Sequence, residues 1–308
     1  GYRDGFPWIK DIIYGGNDFG GTIYGEYEED YDFTARLSDY ETDKAQIYGY
    51  NEGVVPDVLK SSTYVEYLLG RVDSIFGGGY GYYDYTNRAL YEPGTGMPKQ
   101  TSAFVNVRPK DNSKNYISAV FGGGTGYPGI RTNDNAQDCS YVLIDIPDNQ
   151  TNFKNMEAFG SGSYNGLGMR YIYDKEKGKT VDETGKAINL DKASSIIDLL
   201  RGRIHNAYGG SYNEGITRRS VVNVPAESVI QIDSIYGGAY GTQILPPCDV
   251  YETQVNYKNT SDKAQVFGAI FGGNNNERRS IYTHVNITSP VWSNKEKGYL
   301  GTVYGAGK

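Results

Sequence analysis

One short element recurs along the chain: a β-branched or small apolar residue, an aromatic, then glycines. It reads Ile13-Tyr14-Gly15-Gly16, Ile75-Phe76-Gly77-Gly78, Val120-Phe121-Gly122-Gly123, Ala158-Phe159-Gly160-Ser161, Ala207-Tyr208-Gly209-Gly210, Ile235-Tyr236-Gly237-Gly238, Ile270-Phe271-Gly272-Gly273 and Val303-Tyr304-Gly305-Ala306. Glycine at a fixed place in every copy marks a corner, where φ is positive or where backbones pack too closely for a Cβ. A phosphate-cradling loop would need a following helix and a GxxxxGK[ST] or GxGxxG context, and neither is present. Ile23-Tyr24-Gly25 and Ile47-Tyr48-Gly49 read as degenerate relatives of the corner.

A second motif lies between successive corners: a small or hydroxylated residue, then apolar residues at alternate positions flanking a polar one. Its copies are Thr63-Tyr64-Val65-Glu66-Tyr67, Ala103-Phe104-Val105-Asn106-Val107, Val142-Leu143-Ile144-Asp145-Ile146, Ser195-Ile196-Ile197-Asp198-Leu199, Ser220-Val221-Val222-Asn223-Val224, Thr253-Gln254-Val255-Asn256-Tyr257 and Thr283-His284-Val285-Asn286-Ile287. Period-two alternation with β-branched residues is a strand signature, because successive side chains point to opposite faces. The same reasoning makes Lys192–Arg203 a strand, although its apolar residues also suit a short helix. From strand centre to the next corner the gap runs from 11 residues (65 to 76) to 19 (285 to 304), but from corner to strand it runs from 14 (208 to 222) to 51 (14 to 65). Insertions therefore concentrate after the glycines.

A unit of this size cannot bury its own apolar face, so successive units must stack. The shortest repeat, Tyr208 to Tyr236, spans 28 residues, enough for one turn of a narrow coil with two or three strands. The expected fold is all-β: a single-stranded parallel β-helix or β-solenoid of about seven irregular rungs with long loop insertions. Residues 1–308 form one elongated segment, degenerate over 1–74 and better defined over 75–308. Stacking would put Asn106, Asn223, Asn256 and Asn286 in one column, where side-chain amides can bond along the stack. A β-propeller needs four strands per blade, more than 28 residues comfortably supply; a β-sandwich is the other alternative.

Composition fits this picture. Only 38% of residues are hydrophobic and the mean hydropathy is -0.57, yet there are 41 Gly and 30 Tyr among 308 residues. Disordered chains lack such aromatic content. A net charge of -7 and a pI near 5.0 leave no basic footprint for nucleic acid or an anionic membrane. No apolar run is long enough for a transmembrane segment, and the first twenty residues do not form a signal peptide. The chain begins at Gly1 and stops inside a repeat, as expected of a fragment of a longer protein whose adjacent repeats would be its neighbours. Cys139 and Cys248, the only cysteines, are either unrelated thiols or one disulfide, which would suit an oxidising compartment.

Strong chemical motifs are missing. His205 and His284 sit in no HExxH, HxH or nucleophile-elbow context and read as surface residues. The acidic stretch Glu26–Asp32, the Gly15-Gly16-Asn17-Asp18 sequence and Asn133-Asp134-Asn135 with Asp138 lack the periodicity of calcium-binding rolls and read as solvated loops, so no cofactor or metal is expected. Acids are plentiful, but a glycoside-cleaving pair needs a defined separation that spacing across variable loops does not fix. The sequons at Asn149, Asn259 and Asn286 are short enough to arise by chance. The tyrosines stand out: Tyr80, Tyr82, Tyr83 and Tyr85 follow one corner, and Tyr164, Tyr171 and Tyr173 another. Tyrosine offers a flat apolar face and a hydroxyl at low entropic cost, suited either to packing the insertions onto the scaffold or to contacting a ligand.

The combination of [IV]-[YF]-G-G corners with T-x-V-N-[IV] strands, clearest in Tyr282–Ile287 and Gly301–Gly307, resembles the long glycine-rich repetitive β-solenoid surface proteins of Bacteroidetes. That resemblance implies an exported, adhesin-like, extracellular or cell-surface protein and brings no catalytic residues. Asp73-Ser74-Ile75 and Asp233-Ser234-Ile235 are also similar to the Asp-Ser-aliphatic acceptor for O-glycosylation in that phylum, though both precede a corner and serve equally as repeat framework. The expected function is a non-enzymatic structural or adhesion module that binds a glycan or a cell-surface protein through its insertions. The alternative is a polysaccharide-active lyase or glycoside hydrolase on the same scaffold.

Overall fold

The computed structural model describes residues 2–3, 6–7, 9, 11–16, 22–23, 63–80, 99–110, 112–126, 137–147, 151–164, 171–174, 179–182, 195–213, 215, 217–241, 249–261, 263–276, 279–288 and 298–308. Among them there is no α-helix, only a 3-10 turn at Thr151–Phe153. Every corner motif contributes a strand to one parallel sheet, the corner sheet: Ile12–Tyr14, Arg71–Phe76, Tyr116–Phe121, Glu157–Phe159, Arg203–Tyr208, Gln231–Tyr236, Gln265–Phe271 and Tyr299–Tyr304, stacked in chain order. The second motif builds a parallel ladder sheet of seven ranks. Thr22–Ile23 and Thr63–Tyr67 share the first, followed by Lys99–Val107, Gln137–Asp145, Ser195–Arg201, Thr217–Val224, Val250–Tyr257 and Tyr282–Ile287. The chain alternates between the two sheets, which makes each coil one turn of a parallel β-helix.

Register follows the repeat. Ile13, Ile75, Val120, Ala158, Ala207, Ile235, Ile270 and Val303 form one inward column of the corner sheet. They face Val65, Val105, Val142, Ile197, Val222, Val255 and Val285 from the ladder sheet. Apart from Val303, which is exposed, these columns belong to one continuous core, almost all of it sealed from solvent. Burying each aliphatic side chain contributes ~1.5–3 kcal/mol. Ala158 and Ala207 are the small members of their column, and Phe153 and Met156, both fully buried, join the same core beside them.

Two expectations need correction. Ser140 pairs with Ala103 and Ser195, so Val142, not Ile144, is the register mate of Val105 and Ile197. The sequence alignment had slipped by two residues, which a period-two pattern tolerates because the same faces stay buried. Ile23 does not join the corner column: Thr22–Ile23 pairs with Lys99–Gln100 in the ladder sheet.

The first glycine of each corner is required by close packing. A methyl carbon placed on Gly160 would lie 2.5 Å from the Gly209 carbonyl oxygen and 2.8 Å from Ser195 Oγ. Gly15, Gly77, Gly122, Gly209, Gly237 and Gly272 each meet the glycine carbonyl of the next coil in the same way. None of these seven has positive φ, so the contact, not the backbone conformation, excludes other residues. Positive φ is found instead at Gly126 (67°) and Gly241 (65°), five residues past the corner aromatics Phe121 and Tyr236.

A second contact joins the two sheets within each coil. The hydroxyls of Thr63, Ser140, Ser195, Ser220, Thr253 and Thr283 donate to the carbonyls of Gly77, Gly160, Gly209, Gly237, Gly272 and Gly305. Ala103 occupies this column without a hydroxyl.

Gly160→Ala is expected to lower stability by roughly 1–3 kcal/mol through overpacking at the coil contact, read as a reduced midpoint in urea; an unchanged midpoint would contradict the steric account. Ala103→Ser, facing the Gly122 carbonyl, is expected to add about 0.5–1.5 kcal/mol by completing the hydroxyl column, visible as a higher midpoint at constant m-value.

Candidate functional site

The corner aromatics form one column on the outer side of the corner sheet. Tyr14, Phe76, Phe121, Phe159, Tyr208, Tyr236, Phe271 and Tyr304 stack with centroid separations of 5.3, 4.3, 4.8, 5.0, 4.8, 4.7 and 4.9 Å. A second column rises beside it: Tyr212 and Tyr240 stack at 5.1 Å and meet Phe159 and Tyr208 edge-on at 5.3 and 5.4 Å. The spacing that places them, four residues past a corner aromatic, was present in the sequence at Tyr80, Tyr212 and Tyr240.

Tyr80 packs against Tyr14 at 5.3 Å. The Tyr164 amide bonds the Thr125 carbonyl, so Tyr164 starts its insertion tied to the scaffold. Tyr171 and Tyr173 lie in an antiparallel hairpin, Tyr171–Asp174 with Lys179–Asp182. Tyr82, Tyr83 and Tyr85 fall outside the described residues, as do the acidic stretch Glu26–Asp32 and Cys248. Cys139 lies in the ladder sheet opposite Ser102. Inside the columns the ring faces are occupied by other rings, and from Phe76 to Phe271 the corner aromatics are buried. Burial raises the pKa of Tyr208, Tyr212 and Tyr236, and the nearby Glu157 carboxylate adds to the rise.

Next to these columns the corner sheet carries a group of charged and polar side chains in mutual contact. Two outward residues separate inward Ile204 from Ala207, and Ile232 from Ile235. This brings out His205 with Asn206, and Asp233 with Ser234. Glu157, Asn206 and Ser234 are register mates on three successive strands. His205 is the hub: Nδ1 lies 3.4 Å from Glu157 Oε1 and Nε2 lies 3.6 Å from Asp233 Oδ2. Arg203 pairs with Asp233, donates to the Ile204 carbonyl at 2.6 Å and covers the exposed Phe267 ring at 4.7 Å. The His205 side chain is 48% exposed, so the group is open to a ligand. The Asn206 amide lies 3.1 Å from His205 Nδ1, so the group is a polar face of amide, imidazole, carboxylate and guanidinium. No cluster of three or more metal-ligating residues that could hold a metal ion occurs among the described residues. Sequence reasoning placed His205 on the surface but missed the cluster, because Glu157 and Asp233 lie on neighbouring coils and only register joins them.

The Asp-Ser-aliphatic sequences fall on this same outer face. Ser234 Oγ accepts the Ala269 amide at 3.3 Å, and Asp233 is engaged by Arg203.

On the ladder sheet, Glu66, Asn106, Leu143, Asp198, Asn223, Asn256 and Asn286 share one outward column. The Asn286 amide donates to Asn256 at 2.8 Å, Asn256 to Asn223 at 2.9 Å and Asn223 to Asp198 at 2.7 Å. Asn106 is outside this run. Leu143 interrupts the column, and Asn106 donates instead toward Glu66 and Tyr64. Beside the column, Phe104, Tyr141, Leu143, Ile196, Leu200 and Val221 form a second buried apolar layer with Tyr64. Asp198, 1% exposed, also accepts the Tyr141 hydroxyl at 2.6 Å.

No protein-family model, curated protein or solved structure matches the chain.

Burial pushes the Asp198 carboxyl from its ordinary 3.8 up to about 6, against the opposing effect of its Tyr141 and Asn223 hydrogen bonds. Because the folded-state pKa is the higher one, the protonated acid favours folding: that stability is full below about pH 4 and is lost as pH rises through about 6, on the order of 2–3 kcal/mol in all. Asp198→Asn keeps a ladder acceptor without the charge. Its stability is expected to be nearly flat between pH 4 and 7 and to exceed that of the parent at pH 7. Parallel pH profiles of the two proteins would refute the burial account.

Proposed function

We propose that the chain is a non-enzymatic structural and adhesive module of an exported, cell-surface protein, which binds a glycan or a protein through its insertions and the polar sheet face beside them. The observation that carries this reading is the Glu157–His205–Asp233–Arg203 group. It offers carboxylate, imidazole and guanidinium at fixed separations on an exposed sheet face, held by strands whose inward side chains are fully buried. A ligand rich in hydroxyls or amides can exchange hydrogen bonds with such a face at little cost in protein entropy, because the scaffold is already ordered. In the sequence the insertions follow Tyr80, Gly126, Tyr164 and Gly241, each four or five residues past a corner aromatic. Loops mounted on a rigid frame are where recognition commonly resides.

The enzyme alternative rests on the same residues, since an imidazole between two carboxylates is a plausible acid–base relay. Against it, the ring of His205 occupies the space between Glu157 and Asp233, where the scissile bond of a polysaccharide would have to sit for the two acids to flank it.

Glycan-array binding run beside an assay for reducing-end release tests the proposal. Binding without turnover is expected, with His205→Ala and Asp233→Asn each weakening it about tenfold or more while leaving the thermal midpoint within a few degrees. Release of reducing ends that His205→Ala abolishes would overturn the proposal in favour of the enzyme.

A further inference from the structure

The polar group on the corner sheet is tied into the aromatic column beside it. On four successive coils the residue two positions before the corner aromatic lies on the outer face: Glu157 before Phe159, Asn206 before Tyr208, Ser234 before Tyr236 and Ala269 before Phe271. Among these four, tyrosine replaces phenylalanine on the two coils where that residue is Asn or Ser. The Tyr208 hydroxyl is hydrogen-bonded with Asn206, and the Tyr236 hydroxyl with Ser234. Stacking does not call for these hydroxyls, since Phe159 and Phe271 take their places in the same column at 5.0 and 4.7 Å. They act on the polar face instead, by fixing how Asn206 and Ser234 are presented.

Charge on this face is matched unevenly. Arg203 is engaged by Asp233, by the Ile204 carbonyl and by the ring of Phe267. Glu157 has no Lys or Arg partner among the described residues and meets only His205 and Asn206. Its negative field reaches the phenols of Tyr208, Tyr212 and Tyr236 and makes each harder to ionise. The face therefore holds acceptors in excess and a negative potential. A carboxylate or sulfate placed on it would be repelled, whereas an uncharged hydroxyl can donate to Glu157.

Size narrows the occupant further. From Glu157 to Phe267 the strip crosses four strands, about 14 Å at ~4.8 Å per step, whereas a stable protein interface covers ~800 Å² on each side. Phe267, at one end, is 41% exposed, and the part of its ring that Arg203 leaves uncovered offers an apolar contact to C–H groups. A row of acceptors ending in an apolar contact suits a short, uncharged oligosaccharide.

We infer that the strip from Glu157 to Phe267 binds an uncharged, hydroxyl-rich oligosaccharide and discriminates against glycans that carry carboxylate or sulfate groups. This names the ligand class of the adhesive reading above and rests on that reading.

The test measures the full chain on an array that pairs oligosaccharides of glucose, galactose and mannose with their uronic-acid and sulfated counterparts, at low and high NaCl. Neutral members are expected to bind about tenfold or more tightly than acidic ones, with less than about twofold change between the salt conditions. Glu157→Gln should bring the acidic members to within about threefold of the neutral ones. Phe267→Ala should weaken neutral binding about tenfold. The double variant Tyr208→Phe, Tyr236→Phe should keep the stack and its thermal midpoint but weaken neutral binding about threefold or more. These substitutions lie on different strands, so a variant that fails to fold leaves the others to decide. Equal or tighter binding of acidic members, a steep salt dependence, capture of polylysine in preference to sugar, or unaltered neutral binding in Phe267→Ala would each overturn the inference while leaving the adhesive reading in place. Binding to neither series would overturn the inference together with the glycan half of that reading.

Discussion

The fold depends on one contact, backbone against backbone at the corner. Where the first glycine of a coil meets the glycine carbonyl of the next, any side chain would hold the coils apart and break the hydrogen-bond spacing of ~4.8 Å that both sheets need. With that contact made, the amides of Gly15, Gly77, Gly122, Gly160, Gly209, Gly237 and Gly272 bond the carbonyls of the next coil's corner aromatics at 2.8–3.0 Å. Main-chain pairing thus continues around the bend, where most strands would end. The hydroxyl of the ladder strand then donates to the same glycine carbonyl, so a single peptide unit fixes the distance between coils and the position of one sheet on the other.

Aromatic stacking follows from this contact. Flat rings at a repeat near 4.8 Å pack face to face at separations close to those of offset stacks, and the measured separations of 4.3–5.3 Å match the coil rise. The residue before the glycine can therefore be Phe or Tyr but not an aliphatic side chain that would leave gaps. Abundant tyrosine and sparse aliphatic residues are compatible here because much of the apolar burial lies outside the aliphatic core, in the ring columns and in the layer around Phe104 and Tyr141.

What could be read from the sequence divides along the range of the forces involved. Corner strands and ladder strands were legible because glycine exclusion and period-two alternation act within a few residues of one coil. The third ladder strand was set two residues out of register, since Val142, Leu143 and Ile144 alternate equally well either way. The feature that fixes it, the Ser140 hydroxyl on Gly160, reaches across to the other sheet. Ile23 was placed in the wrong sheet because an Ile-Tyr-Gly triplet carries the corner's composition without its partners. The candidate site was less legible still. Glu157, His205 and Asp233 come from three coils, and their approach depends on where two outward residues interrupt the alternation of Arg203–Tyr208 and Gln231–Tyr236, a backbone detail with no compositional mark.

Stacking also constrains how such a molecule recognises anything. Sugars bind aromatic residues through ring faces, and inside these columns the faces are already covered: Tyr208 and Tyr236 are buried whole, and only the half-buried Tyr212 and Tyr240 reach toward solvent. Under the proposed adhesive reading, recognition on the scaffold proceeds by hydrogen bonds with directional polar groups such as the His205 cluster. Among the described residues, free aromatic faces remain only where a column ends, as at Tyr304, or where a ring stands outside the columns. Phe267 is of the second kind, and Arg203 covers it. A scaffold that spends its ring faces on its own cohesion leaves face-on binding, under the proposed reading, to its insertions. This is a physical reason for an array with so regular a frame to keep long and variable segments after its corners.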